Sequence, residues 1–247
     1  MTDRRPPFLT ARWHTLVMLN YEMAPDLLAP LVPEGTELDT FEGRCLASVV
    51  GFRFVDTRLL GVPIPFHRDF DELNLRFYVR RSEGDEVRRG VVFVREVVPR
   101  RAIAWVARWS HGERYVARPM GHLLQVDPER GGSAGFRWQA RRGGPWCELR
   151  ATFRGAPVLP EAGSEEEFIT EHYWGYAQQR QGSVEYRVEH PQWRVWPARE
   201  SSLSGDLSPL YGPDLAAALT GPPCSAFVAE GSPVSVHWGR KISAAGP

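Results

Sequence analysis

The segment Asp69 to Val79 (DFDELNLRFYV) places an acid, an amide, a guanidinium and a phenol at every second position. On the two-residue period of a strand, Glu72, Asn74, Arg76 and Tyr78 share one face, and Leu73, Leu75, Phe77 and Val79 share the other. Such a row can hold an anion through the guanidinium fork and move protons through the carboxyl and phenol groups. The apolar face is core. The polar face meets either water or an enclosed cavity, and only the second makes it a site.

Two further segments carry titratable groups. Glu113, Tyr115 and Arg118 follow His111-Gly112 at a helix-to-strand junction, with Met120 just beyond. A ligand site suits these residues, and capping with surface pairing accounts for them equally. His172 and Tyr173 fall on a candidate helix, and His190 opens His190-Pro191-Gln192-Trp193. Two imidazoles can serve as acid and base near neutrality, while packing beside aromatic neighbours is the plainer reading. His172, His190 and Glu113 have metal-ligand chemistry without a short ligand spacing, so neither a metal nor another cofactor is expected. There is no P-loop, no GxSxG elbow and no GxGxxG opening a helix.

Composition narrows the chemistry further. Of 30 Lys and Arg residues, Lys241 is the one lysine. Arginine does not lose its proton and cannot attack a carbonyl, so a Schiff-base mechanism must use Lys241 or be given up. Thirty acidic residues balance the thirty basic ones, which leaves no global field for nucleic acid or an anionic membrane. The arginine pairs at 80–81, 88–89 and 100–101 read as solvated surface. Cys45, Cys147 and Cys224 are far apart and read as reduced, packed thiols. The apolar run Leu16–Leu19 is too short for a signal sequence, and a cytoplasmic protein is expected.

The elements that must position these groups are mostly strands. Segments 16–21, 44–55, 70–81, 89–98, 114–126, 134–141, 146–154, 183–196, 225–229 and 233–239 have strand character. Helices are expected at 25–28, from Pro99 to Trp109, near 214–219, and after Ser164, where Glu167 completes the capping-box spacing. The pattern predicts one α+β domain, mostly antiparallel β, as a large curled sheet or β-barrel with a few short flanking helices. An alternative use of such a chain is protein interaction through Arg/Trp-rich strands such as Trp193-Arg194-Val195-Trp196.

The order of segments resembles the YqjF-like family of uncharacterised proteins. It is carried by Glu72-Leu73-Asn74-Leu75-Arg76-Phe77-Tyr78-Val79, Gly90-Val91-Val92-Phe93, Ala104-Trp105-Val106-Ala107-Arg108, Tyr115 to Met120, His172-Tyr173-Trp174 and His190-Pro191-Gln192-Trp193. The similarity runs from about Trp13 to Trp238 and rests on the combination. That family is similar to the acetoacetate decarboxylase superfamily, which implies a curled antiparallel barrel around a polar cavity. In the decarboxylases a paired-lysine motif supplies the Schiff-base amine. The corresponding region here, Gly112 to Gly121, has no lysine, and Met120 or Gly121 stands near the place of the amine. Glu72 matches the decarboxylase cavity glutamate. The resemblance implies a cavity for a small organic acid or carbonyl compound without Schiff-base decarboxylation. Glu72, Tyr78, Glu113 and Tyr115 would carry any acid–base work, and Asn74, Arg76, Arg118, Met120, His172, Tyr173 and His190 would contact the ligand. No nucleic-acid or membrane partner is expected, and a homo-oligomer is left open.

Overall fold

The computed structural model describes residues 5–103, 105 and 113–242. Seven strands close a barrel: Leu9–Glu22, Pro233–Val236, Ser183–Glu189, Trp174–Gln178, Glu86–Val98, Phe70–Glu83 and Arg44–Leu59, the last returning to the first. Neighbours are antiparallel except at one seam, where Trp174 and Gly175 run parallel to Gly90 and Val91. The long strands are rich in β-branched and aromatic residues, which suit a pleated surface buried on both sides.

A second, four-stranded sheet lies outside the barrel in the order Glu200–Ser204, Trp146–Arg154, Gly131–Gln139, Met120–Asp127. Its Phe136, Trp138, Leu149 and Phe153 share one buried cluster with Val17, Val49, Leu73, Leu75 and Phe77 of the barrel wall. Gly51 allows the sheets to meet closely, since a Cβ there would stand 2.7 Å from the Phe136 ring. The short helix Glu165–Thr170 plugs one end of the barrel. Ser164 accepts from the Glu167 amide at 3.2 Å, and the Glu167 carboxylate accepts from the Gly163 amide at 2.7 Å. Phe168 of this helix packs on Tyr78 and Phe41.

The expected mostly antiparallel barrel with short helices is the fold observed. Several boundaries differ. The strand expected over 114–126 is broken by Arg118-Pro119 into Tyr115–Ala117 and Met120–Asp127, because proline cannot donate to a ladder. The strand expected over 183–196 stops at Glu189 and resumes as Val195–Pro197, with Pro191 in the gap. Of the helix expected from Pro99, residues 101–103 and Trp105 are helical. Pro99 and Arg100 precede the helical residues, and residues 104 and 106–112 lie outside the described residues.

Two arginine pairs are not plain surface. Arg81, Arg88 and Arg240 converge on the fully buried Glu185 at 3.5, 3.0 and 2.7 Å, and Arg89 pairs with Asp39 at 2.7 Å. A buried carboxylate needs such partners, and this cluster ties the Arg240–Ile242 strand to the barrel. Cys45 and Cys147 are buried free thiols as expected, whereas Cys224 is exposed. Among the described residues no helix is long and apolar enough to cross a membrane.

At the parallel seam a Cβ on Gly90 would stand 2.6 Å from the Trp174 carbonyl and 2.5 Å from the Tyr176 ring. Backbone cannot retreat there without loosening the closure, so Gly90→Ala should lower unfolding free energy by roughly 1–3 kcal/mol. Urea denaturation measures this, and an unchanged midpoint would show that the seam yields freely.

Candidate functional site

Every residue from Phe70 to Val79 is buried. Leu73, Leu75, Phe77 and Val79 face the core shared with the second sheet, and the alternate residues face into the barrel. There Glu72, Asn74 and Arg76 line a cavity of ≈ 190 Å³. Strand pairing fixes their depth. Phe70 lies across from Phe54 near the mouth, Glu72 across from Phe52, Asn74 across from Val50, and Arg76 deepest, beside Phe93.

The polar wall is continued by residues from other elements. Glu96 pairs with Asn74 on one side and, in parallel, with Tyr115 on the other. Glu113 precedes that short strand, and Tyr186 enters from Ser183–Glu189. Asn74 Nδ2 donates to Glu72 Oε1 at 3.2 Å, and the Tyr115 hydroxyl donates to Glu72 Oε2 at 3.1 Å. The Tyr186 hydroxyl donates to Glu113 Oε1 at 2.7 Å. Tyr115 also hydrogen-bonds Glu96. Gly175 makes the room for Tyr186, whose ring would lie 2.1 Å from a Cβ at that position.

Three carboxyl groups in one desolvated wall cannot all ionise. Burial pushes Glu72 up to about 7, against the hydrogen bonds from Asn74 and Tyr115. Burial together with the neighbouring Glu72 pushes Glu113 up to about 8. Glu96 is raised well above the usual range by burial and by both neighbours. At neutral pH the wall is therefore largely protonated and can donate hydrogen bonds.

Arg76 is buried at the cavity floor. One terminal nitrogen donates to the Ile169 carbonyl at 3.2 Å, the guanidinium lies 5.7 Å from the Tyr78 ring, and Nε has no hydrogen-bond partner. Among the described residues no carboxylate forms an ion pair with it. Beside this polar row, the adjoining strands Arg44–Leu59 and Leu9–Glu22 line the cavity with apolar groups, Val50, Phe52 and Phe54 from the first and Trp13 and Leu16 from the second.

The other candidate residues stand elsewhere. Tyr78 lies below the cavity, where its hydroxyl meets Ser48 Oγ at 2.5 Å, and Ser48 donates to Asn20 at 2.6 Å. His172 packs at a tilt against Tyr78 and edge-on against Phe168 and bonds Asp39 at 3.2 Å, with burial pushing its imidazole down to about 4. Arg118 donates to the carbonyls of Ala140 and Ala117, and Met120 starts the outer sheet. Tyr173 donates to Glu171, and His190 stacks on Trp193 with ring centroids 4.1 Å apart, beside a separate shallow depression. Lys241 is exposed, paired with Val184 on the barrel's outer edge. Glu72, Asn74, Arg76, Glu113 and Tyr115 are thus brought together. Glu96 and Tyr186 join them without having been singled out in the sequence. The Trp-rich strand expected to offer an interaction surface is instead buried: Trp193 Nε1 donates to Ser232 and Trp196 Nε1 to the Gly155 carbonyl.

A family model described as DUF2071, an uncharacterized conserved protein, matches residues 10–233. The chain belongs to the DUF2071 family. Its sequence is 26% identical over 204 residues to the uncharacterized protein YqjF of Bacillus subtilis (strain 168), covering 81% of this chain and 80% of that one. Among solved structures, an acetoacetate decarboxylase from Legionella pneumophila is similar with a TM-score of 0.69 at 12% identity, covering 98% of this chain and 92% of that one. The enduracididine biosynthesis enzyme MppR, complexed with pyruvate, gives 0.66 at 14% identity over 98% and 93%. An acetoacetate decarboxylase-like enzyme from Sphingomonas wittichii RW1 gives 0.65 at 16% identity over 98% and 95%. At these identities the likeness shows the fold: this DUF2071 chain has the acetoacetate decarboxylase-like barrel.

The raised carboxyls fix a pH dependence. A carboxyl whose folded-state pKa exceeds its unfolded value contributes full stability below the unfolded value, near 4.5, and loses it as pH rises through the folded one. His172 and His190, both lowered to about 4, act in the opposite sense, but only below their unfolded value of 6.5. Between pH 6.5 and 8 melting temperature should therefore fall with rising pH, and the Glu72→Gln/Glu113→Gln double variant should flatten that slope. Parallel slopes for both proteins would mean that the carboxyls ionise freely in the folded state.

Proposed function

We propose that this DUF2071 protein binds a small carboxylate- or carbonyl-bearing molecule in the barrel cavity, and that any chemistry there is non-covalent proton transfer. The observation that carries this reading is Arg76, a buried guanidinium at the end of a cavity with an unbonded Nε and, among the described residues, no carboxylate partner. An uncompensated buried charge is costly, and a bound anion would supply the missing partner. Asn74 Oδ1 and Glu96 Oε2, also buried without hydrogen-bond partners, add polar capacity to the same wall.

The protonation pattern suits the same ligand. Glu72, poised near neutrality and bonded to the Tyr115 hydroxyl, can take or give a proton at a carbon or oxygen next to a carbonyl. Glu113, protonated at neutral pH, donates through its carboxyl and is itself oriented by Tyr186. Such groups serve enolisation, hydration or lyase chemistry. A covalent amine route has no lysine on the cavity wall, since the one lysine is exposed on the outer edge. The MppR complex with pyruvate supports the choice of an organic acid by analogy of fold.

Thermal-shift titration with short carboxylic and keto acids tests the reading. The wild-type protein should be stabilised, and Arg76→Lys should weaken apparent binding by about tenfold or more, the loss expected for a charge-assisted fork. Affinity should also fall between pH 6.5 and 8.5, as Glu72 and Glu113 ionise and repel the anion. Equal stabilisation of wild type, Arg76→Lys and Glu72→Gln would remove this strand from the site.

A further inference from the structure

We propose that the ligand is amphipathic, with a carboxylate or carbonyl head that enters first and an aromatic or branched hydrocarbon tail lying along the Trp13, Phe52 and Phe54 wall. This inference rests on the binding reading above and narrows it to a substrate class.

The cavity is polarised in two directions. Across its width, the Phe70–Glu83 and Glu86–Val98 strands present Glu72, Asn74 and Glu96, while the Leu9–Glu22 and Arg44–Leu59 strands present aromatic and aliphatic groups. Along its depth, the ladder sets Arg76 at the floor, the carboxyls at mid-height, and Phe54 with Phe70 toward the mouth, where those two rings stack at 4.6 Å. Phe8, Leu9, Leu59, Ile64 and Ile103 complete the outer part. A head group that reaches Arg76 therefore leaves whatever it is attached to with the protonated carboxyls on one side and hydrocarbon side chains on the other and toward the mouth.

The mouth has the same character. Ile64 and His67 line the cavity from the loop that follows Leu59. In that loop Leu60, Val62 and Phe66 are 53%, 64% and 84% exposed. Leu60 and Phe66 hold positive φ angles of 51° and 62°, a conformation that bulky side chains rarely adopt. A site for a fully hydrophilic acid gains nothing from an apolar entrance, whereas an apolar tail is desolvated by it on entry.

Capacity sets the size. A cavity of about 150 Å³ holds benzene, so ≈ 190 Å³ adds room for one carboxyl or carbonyl group. Together with the open mouth, this fits on the order of ten non-hydrogen atoms. Pyruvate would occupy the polar end and leave the aromatic wall uncovered.

Isothermal titration with pyruvate, 4-methyl-2-oxopentanoate and phenylpyruvate tests the proposal. Affinity should rise along that series by tenfold or more overall, following the apolar area buried. Phe52→Leu, and independently Ile64→Ser at the half-exposed mouth, should each weaken phenylpyruvate severalfold more than they weaken pyruvate. Equal affinity for the three acids, or the tightest binding for pyruvate, would overturn the tail and leave the binding site standing. Failure of all three acids to bind would overturn the tail together with the reading on which it rests.

Discussion

The structure turns on one strand that is buried on both faces. In a single antiparallel sheet the row Glu72, Asn74, Arg76 and Tyr78 would meet water. Here the four-stranded sheet covers the outside of the wall, and the barrel encloses the inside. Both faces are withdrawn from bulk water, so most of these polar groups find partners within the barrel, and Arg76 Nε, Asn74 Oδ1 and Glu96 Oε2 are left without one. The chain of bonds Asn74–Glu72–Tyr115–Glu96 and the pair Tyr186–Glu113 follow from that withdrawal. The raised carboxyl pKa values follow too, since the desolvation that closes the core is their first cause.

How much of this could be read from residue order depends on whether the strand is regular. Alternation alone puts Glu72, Asn74 and Arg76 on one face, and the row stands where that period sets it. Glu96 is hidden from the same rule. Counting by twos from Val92 and Val94 places it on the apolar outer face, but the register shifts between Leu75 and Arg76, and the bulge turns Glu96 inward beside Asn74. Tyr186 is hidden for another reason. Its neighbour Glu185 looks like the chemical residue of that strand, yet faces outward into Arg81, Arg88 and Arg240. Only the cross-strand partner Gly175 shows that the tyrosine side is the one with space. For His172 and His190 the plainer reading, packing beside aromatic neighbours, is the one observed: His172 lies against Tyr78 and Phe168, and His190 stacks on Trp193, both outside the cavity.

Within this barrel no lysine stands among the described residues that line the cavity. Met120 and Gly121, near which the resemblance implies an amine, follow Pro119 and belong to the outer sheet. The strand segment that remains on the cavity, Tyr115–Ala117, presents a phenol to Glu72 and Glu96. The groups on this wall are carboxyls and phenols that share protons, and this is the basis of the acid–base reading proposed above.

The two walls of the cavity depend on each other. Trp13, Phe52 and Phe54 keep the local dielectric low, and a low dielectric both holds the carboxyls neutral and strengthens the field of Arg76. Were the apolar wall replaced by polar groups, water would enter, the carboxyls would ionise nearer their usual range, and their negative charge would cancel the attraction of the guanidinium. On the proposed reading, an anionic head is best held when its own hydrocarbon completes the apolar wall beside the acids. On this argument the aromatic side is part of the electrostatics of the site, because it decides how many of its protons remain in place.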